Sequence, residues 1–108
     1  MIDKKAQGRN NKRRGSVFER ELVNAFRKHG LEAQRVPLSG GTDYAKGDVE
    51  VTAGFAPQPI YVGECKRRKA LPEWIDTALG ENDFLAMRED GGKTLIVLRL
   101  PMFMDLLQ

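Results

Sequence analysis

Two short stretches separated by a turn constrain the fold of this chain more than any other feature. Residues 48–52 (DVEVT) and 60–66 (IYVGECK) have the composition of β-strands, and the connecting sequence AGFAPQP is rich in turn-forming glycine and proline. This pattern predicts a β-hairpin. Because side chains alternate between the two faces of a strand, Ile60 and Val62 are predicted to form one apolar row facing the core.

Chemically reactive side chains occupy the ends of this hairpin. Glu64 and Lys66 continue the predicted apolar row, about 7 Å apart along the strand. Asp48 begins the preceding strand, where the hairpin brings it beside Glu64. Two carboxylates that converge in this way suit a hard cation such as Mg²⁺, and the peptide carbonyl of Cys65 offers a third oxygen.

Lys66 has two interpretations at this position. Beside a metal ion, its ammonium group would orient an attacking water and offset the charge that develops on a phosphate. Alternatively, Asp48, Glu64 and Lys66 form only a surface salt bridge. The spacing of the residues leaves both interpretations open.

The rest of the chain predicts an α/β fold class. Periodicity and turn residues indicate a helix over residues 16–29, a strand over 31–36, a helix over 73–87 and a buried strand over 94–99. With the hairpin, the order is αβββαβ, a mixed β-sheet flanked by helices. The second helix is expected to pack on the sheet through Trp74, Ile75, Leu79, Leu85 and Met87.

Glu19 is placed unusually on the first predicted helix. At 100° per residue it falls between Val23 and Phe26, inside the apolar arc of that helix. A carboxylate there is costly to bury unless it is paired or bound to a metal. The alternative is local, because Ser16 and Glu19 have the spacing of a capping box at a helix start.

Positive charge is concentrated in residues 1–14 and in the run of four basic residues at 66–69. The chain carries a net charge of +3, but residues 1–14 hold six basic residues against one aspartate, a balance of +5, so the remainder is close to −2. We expect this basic segment to be a flexible tail, followed by a single domain over residues 15–108. Basic segments commonly bind nucleic-acid phosphates, although a solubilising tail is the alternative. DNA contacts are expected from Arg13, Arg14, Arg67, Arg68 and Lys69.

Several protein classes are disfavoured. No apolar run approaches the roughly 20 residues that span a bilayer, and no signal peptide opens the chain. A single cysteine excludes an intramolecular disulfide. A cytoplasmic protein without a membrane partner is therefore expected.

Two motifs resemble known nucleases. Gly47-Asp48, followed sixteen residues later by Glu64-Cys65-Lys66, resembles the D…E-x-K signature of the PD-(D/E)XK nucleases. The segment GSVFERELVNAFRKHGLEAQRV resembles the first helix and strand of archaeal-type Holliday-junction resolvases. The resemblance covers residues 15–69, whereas the C-terminal half looks more like phage-encoded relatives.

This resemblance implies a restriction-endonuclease-like core that works as a homodimer. It implies that Asp48 and Glu64 bind Mg²⁺ or Mn²⁺ as one or two ions, that Lys66 positions the water, and that Glu19 completes the site. Supporting or phosphate-binding roles are implied for Arg20, Arg35 and Ser39. The loop after Ser39 is longer than in archaeal relatives, and it contains Asp43, a rival for the first carboxylate.

The predicted function is hydrolysis of phosphodiester bonds in branched DNA, most specifically in four-way junctions. The working location would be the cytoplasm of a bacterial, archaeal or phage-infected cell. Two alternatives remain at this point. One is another PD-(D/E)XK nuclease that acts on flaps, ends or damaged duplex, and the other is a DNA-binding module without catalytic activity.

Overall fold

A computed structural model of the protein describes residues 4–37 and 47–108, with only the backbone described for residues 4–14. Ser39 and Asp43 lie outside the described residues. The chain forms two compact units. The first contains the described residues up to Arg67 together with Leu107–Gln108, and the second is Arg68–Leu106. The predicted organisation as one domain from residue 15 stays a prediction.

The first helix, α1 (Lys4–Lys28), is longer than the sequence predicted. It ends as expected, because Gly30 adopts a φ of +87° and its backbone N–H bonds the Arg27 carbonyl oxygen at 3.0 Å. It begins twelve residues earlier than predicted, so residues 4–14 are helical. Lysine, arginine, alanine and glutamine have good helix propensity, and extending an existing helix needs no new nucleation. The flexibility of the basic segment in solution stays a prediction.

The early start of α1 overturns the capping-box alternative. Ser16 and Glu19 lie more than two turns inside the helix rather than at its beginning. The backbone N–H groups that a capping box would satisfy are already bonded within the helix. Both side chains instead contact Arg35, as described below.

A three-stranded antiparallel sheet packs against α1. Its strands are β1 (Glu32–Arg35), β2 (Val49–Thr52) and β3 (Ile60–Gly63), in the order β1-β2-β3, so the predicted hairpin is confirmed. β3 ends three residues earlier than predicted. Val49 packs with Val23 and Cys65 in the core, and Phe18, Leu22 and Ala33 surround this cluster.

The expected apolar row on β3 does not face the core. Ile60 and Val62 are 59% and 54% exposed. The register explains this difference, because Val62 lies opposite Glu50, which alternates with the buried Val49 and Val51 of β2. Ile60 and Val62 therefore share the face of the sheet that is turned away from α1.

The second unit contains α2 (Glu73–Leu79), β4 (Leu85–Met87), β5 (Leu95–Val97) and most of α3 (Leu100–Leu107), with β4 and β5 antiparallel. The prediction of one helix over residues 73–87 was wrong. Gly80, with a φ of +48°, ends α2, and Leu85 and Met87 pair with β5 instead of extending a helix. Leu79 is buried as expected, whereas Trp74 is 55% exposed.

The observed order, αβββαββα, confirms the α/β class. The C-terminal residues complete the first unit, where the Gly54 backbone N–H bonds the Leu107 carbonyl oxygen at 2.6 Å. The Gln108 side chain also donates to the His29 carbonyl oxygen at 2.8 Å. Among the described helices, none is both long and apolar enough to cross a membrane.

Candidate active site

Gly47 and the β-ladder determine where Asp48 lies. Gly47 has a φ of +91°, and a Cβ there would overlap the Val62 side chain, so the position requires glycine. The next residue, Asp48, forms two backbone hydrogen bonds, both at 2.9 Å. Its N–H donates to the Gly63 carbonyl oxygen, and its own carbonyl oxygen accepts from the Val36 N–H. Asp48 is thereby held between β1 and β3 at the start of β2.

The Asp48 side chain is bonded to the main chain of the E-x-K motif. Its Oδ2 accepts a hydrogen bond from the Cys65 backbone N–H at 2.6 Å. This N–H lies between Glu64 and Lys66 in the chain. Within the described residues, Asp48 Oδ1 receives no hydrogen bond and remains available to a ligand.

Cys65 lies in a negatively charged environment. Its side chain is buried in the core cluster. Burial raises the pKa of the Cys65 thiol, and the negative charges of Asp48, Glu19 and Glu64 raise it further, in that order. The three carboxylates are therefore close enough to Cys65 for their charges to act on its thiol, and Asp48 contacts its backbone directly.

Glu19 is held in this region by Arg35 of β1. The Nε of Arg35 donates to Glu19 Oε2 at 2.9 Å, and Nη2 lies 2.9 Å from the same oxygen. Nη2 also donates to the Ser16 hydroxyl at 3.0 Å. The Glu19 side chain is only 17% exposed, so the arginine supplies the partner that a largely buried carboxylate needs.

Glu64 and Lys66 form the exposed part of the site. Lys66 Nζ lies 3.5 Å from Glu64 Oε1, and each side chain is 64% exposed. An exposed pair of this kind contributes at most about 1 kcal/mol to stability. Structural stabilisation is therefore a weak explanation for the pair, and both groups are accessible to a substrate.

The donor set fits a hard divalent cation. Among the described residues, no group of three histidine, cysteine or acidic side chains is arranged to hold a metal ion. Mg²⁺ does not require such a group, because proteins usually bind it through one or two carboxylates, waters and substrate phosphate oxygens. The oxygens of Asp48, Glu64 and the Cys65 carbonyl are of the ligand type that Mg²⁺ prefers.

The residues expected to bind DNA are distributed unevenly. Arg20 on α1 is exposed, as are Arg67, Arg68 and Lys69 after the E-x-K motif. Arg13 and Arg14 belong to the part of α1 described only by its backbone, and Ser39 lies outside the described residues. Arg35 is already engaged with Glu19 and Ser16.

Ser16 is the contact that sequence reasoning missed. The same three-residue spacing that suggested a cap also places Ser16 and Glu19 on one helix face, where one arginine contacts both. That spacing is the only signal for this contact in the sequence, and the capping box was the only structural interpretation that it suggested.

The fold and site together are those of a metal-dependent nuclease of the PD-(D/E)XK class. An aspartate directly precedes one strand, E-x-K follows the next, and a glutamate of α1 is held by Arg35 of the neighbouring strand, opposite Val49.

The chain belongs to the archaeal Holliday junction resolvase (Hjc) family, whose model matches residues 10–107. Resolvases of this family are Mg²⁺-dependent endonucleases that cleave branched DNA, and their core is restriction-endonuclease-like. The match includes the C-terminal half, so it gives no support to the expected phage relationship. No curated protein and no solved structure matches the chain.

Proposed function

We propose that Asp48, Glu64, Lys66 and Glu19 form the centre with which this resolvase hydrolyses four-way DNA junctions. The observation that carries the proposal is the hydrogen bond from the Cys65 N–H to Asp48 Oδ2. It ties the first carboxylate of the motif to the backbone between the other two members. A surface salt bridge alone does not account for a carboxylate held in this way.

Each side chain has a distinct role in the proposal. Asp48, through Oδ1, and Glu64 would hold Mg²⁺ or Mn²⁺, with the Cys65 carbonyl as a further ligand. The bound ion supplies Lewis-acid stabilisation of the negative charge on the phosphate. Lys66 orients the attacking water and adds positive charge near the scissile bond. Glu19 accepts hydrogen bonds from the water on the α1 side of the site.

Substrate binding is assigned to basic residues near this centre. The exposed residues Arg67, Arg68 and Lys69 follow Lys66 directly, so phosphates near the cut site would meet them. Arg20 lies next to Glu19 on α1. The basic segment, residues 1–14, would add long-range attraction, and Ser39 would approach the DNA from its loop.

We also propose that the protein is a homodimer. A four-way junction offers two symmetric strands, and each chain has one centre, so two chains are needed for paired cuts. The second unit supplies candidate contact surface, since Phe84, Leu95, Ile96 and Leu106 are each more than half exposed. Sedimentation of the protein alone tests this, and a monomer at working concentration would contradict it. Location in the cytoplasm stays a prediction.

Cleavage of labelled four-way junction, flap and linear duplex in Mg²⁺ tests the proposed function. We expect paired cuts in the junction, little cutting of linear duplex, and no cutting after chelation. Glu64→Gln should abolish cleavage yet leave junction binding intact or tighter, because a negative charge near phosphate is removed. Glu81→Gln, an exposed residue of the second unit, is the matched control.

Two results would overturn the proposal. Equal cutting of flap and junction would remove the assigned substrate. A Glu64→Gln enzyme that cuts at the wild-type rate would remove the assigned centre.

A further inference from the structure

We propose that Arg35 and Ser16 are positioning residues that hold Glu19 in the catalytic centre, and that Arg35 does not bind the phosphate backbone. The inference rests on the proposed role of Glu19. Arg35 contacts Glu19 Oε2 through both Nε and Nη2 at 2.9 Å, and Nη2 donates to the Ser16 hydroxyl at 3.0 Å.

The topology explains why Arg35 is suited to this role. Ser16 and Glu19 lie one turn apart on the same face of α1. Arg35 ends β1 opposite Val49, directly beside the point at which Asp48 enters β2. The Val36 N–H bonds the Asp48 carbonyl oxygen there. Arg35 therefore links the helix that carries Glu19 to the strands that carry Asp48.

The hydrogen-bonding geometry leaves Arg35 poorly placed to grip a phosphate. A guanidinium binds an anion with two parallel hydrogen bonds, either from Nε and Nη2 or from Nη1 and Nη2. Both approaches need Nη2, which already contacts Glu19 and Ser16. A two-point phosphate contact would have to break these contacts and leave Glu19, only 17% exposed, without its cationic partner; Nη1 of Arg35 could offer a phosphate only a single-point contact.

The same contacts orient Glu19. Both arginine nitrogens meet a single carboxylate oxygen, Oε2. Within the described residues, no donor contacts Oε1. The carboxylate is thus held by one oxygen while the other is available to water or a metal ion, and Ser16 prevents the guanidinium from turning away.

Three variants test this assignment. Arg35→Lys cannot make the forked contact and should slow single-turnover cleavage about 10–100-fold, the usual effect of losing a partner that orients a site residue. Ser16→Ala should slow it about 2–10-fold, the effect of one lost hydrogen bond. Ser16→Thr keeps the hydroxyl and should restore the rate.

Arg27→Lys is the matched control, because the Arg27 Nε also joins α1 to β1, at the Ala33 carbonyl oxygen, 2.9 Å away. It should leave the rate unchanged. Junction affinity is measured in Ca²⁺ across a range of salt, and Mn²⁺ binding is measured without DNA. For Arg35→Lys we expect weaker Mn²⁺ binding. For Arg35→Gln, which also removes the positive charge, we expect weaker Mn²⁺ binding but junction affinity and salt dependence like the wild type. Thermal unfolding establishes that each variant is folded.

The outcomes for Arg35→Gln, which removes the charge that lysine keeps, separate the two roles of Arg35. In this variant, a weaker junction affinity with a salt slope reduced by about 0.9, at an unchanged rate on saturating DNA, would identify a phosphate contact and overturn the proposal. A Ser16→Ala variant that cleaves at the wild-type rate would show that Ser16 has no positioning role. An equal loss in Arg27→Lys would mean that the effect is general to the helix–sheet junction.

The test is distinct from that of the proposed function. If the assignment of the catalytic centre is wrong, the Glu64→Gln variant will cleave junctions at the wild-type rate. Failure of the positioning role appears as an inactive Glu64→Gln variant together with an Arg35→Gln variant that is altered only in DNA affinity. In addition, Arg35→Lys combined with Glu19→Gln should be no slower than Glu19→Gln alone, since Arg35 acts through Glu19.

Discussion

Comparison of Asp48→Ala with Asp48→Asn separates the two roles of the Asp48 carboxylate. Oδ2 accepts the Cys65 N–H at 2.6 Å, whereas Oδ1 is assigned to the metal ion. Both substitutions remove the same negative charge from the neighbourhood of Glu19 and Glu64. Any gain in stability from relieved repulsion is therefore common to both variants, and their difference isolates the hydrogen bond.

The size of that difference follows from the partly buried position of the bond. Alanine leaves the Cys65 N–H without an acceptor, which costs about 1–3 kcal/mol. Asparagine still presents a carbonyl oxygen, so most of this cost is avoided. We expect the alanine variant to be about 1–2 kcal/mol less stable than the asparagine variant. For a domain of this size, that corresponds to a melting temperature about 4–16 °C lower.

Urea denaturation followed by circular dichroism measures the free energy of unfolding of both variants, and the junction assay measures their activity. Cleavage should fall at least about 100-fold in each, because each loses a metal-binding carboxylate. Equal unfolding free energies would show that Asp48 does not support the E-x-K backbone. Wild-type cleavage by either variant would remove Asp48 from the centre.

Three further predictions follow from the structure. Neutralising any of the three carboxylates that act on Cys65 should lower the pKa of its thiol, as measured by thiolate absorbance during a pH titration of the folded protein. An unchanged pKa would contradict the electrostatic argument. Deleting residues 1–14 should reduce the slope of log affinity against log salt by several units, at about 0.9 per phosphate contact. The affinity for all DNA substrates should fall alike, and metal binding should persist. Equal slopes for the full-length and truncated chains would leave the basic segment without a role in DNA binding. Gly47→Ala should lower the free energy of unfolding by about 1–3 kcal/mol and reduce cleavage. Gly15→Ala, where a Cβ inside α1 would meet open space, should instead raise it by up to about 1 kcal/mol. Equal effects of the two substitutions in unfolding experiments would contradict the strain argument.

The sequence correctly predicted several helix and strand ends that are marked by glycine or proline. α1 ends just before Gly30, as predicted, and the turn between Thr52 and Ile60 joins β2 to β3 as expected. The start of α1 was not predictable from apolar periodicity, because residues 4–14 contain only one apolar residue, Ala6, and extend a helix that is already nucleated. The end of α2 was missed because an apolar period continues past Gly80 into residues that pair as a strand.

The chemical identity of the proposed site could be predicted from the sequence. Asp48, Glu64 and Lys66 lie on one hairpin, and the register of a hairpin is set by alternation and turn length over a short span. Glu19 was detectable as well, because a carboxylate on an apolar helical arc conflicts with its neighbours in any fold. Their catalytic roles stay predictions. The hairpin accounts for the approach of Asp48 to the E-x-K motif, whereas the position of Glu19 relative to them depends on how α1 packs on the sheet.

Only the tertiary structure decided how these groups are held. The bond from Cys65 to Asp48 spans seventeen residues, and those from Arg35 to Glu19 and Ser16 span sixteen and nineteen. The packing of α1 on the sheet decides which arginine reaches Glu19 and which face of β3 meets solvent. No local propensity encodes these contacts, because each depends on the orientation of two separate elements after their apolar faces have packed together.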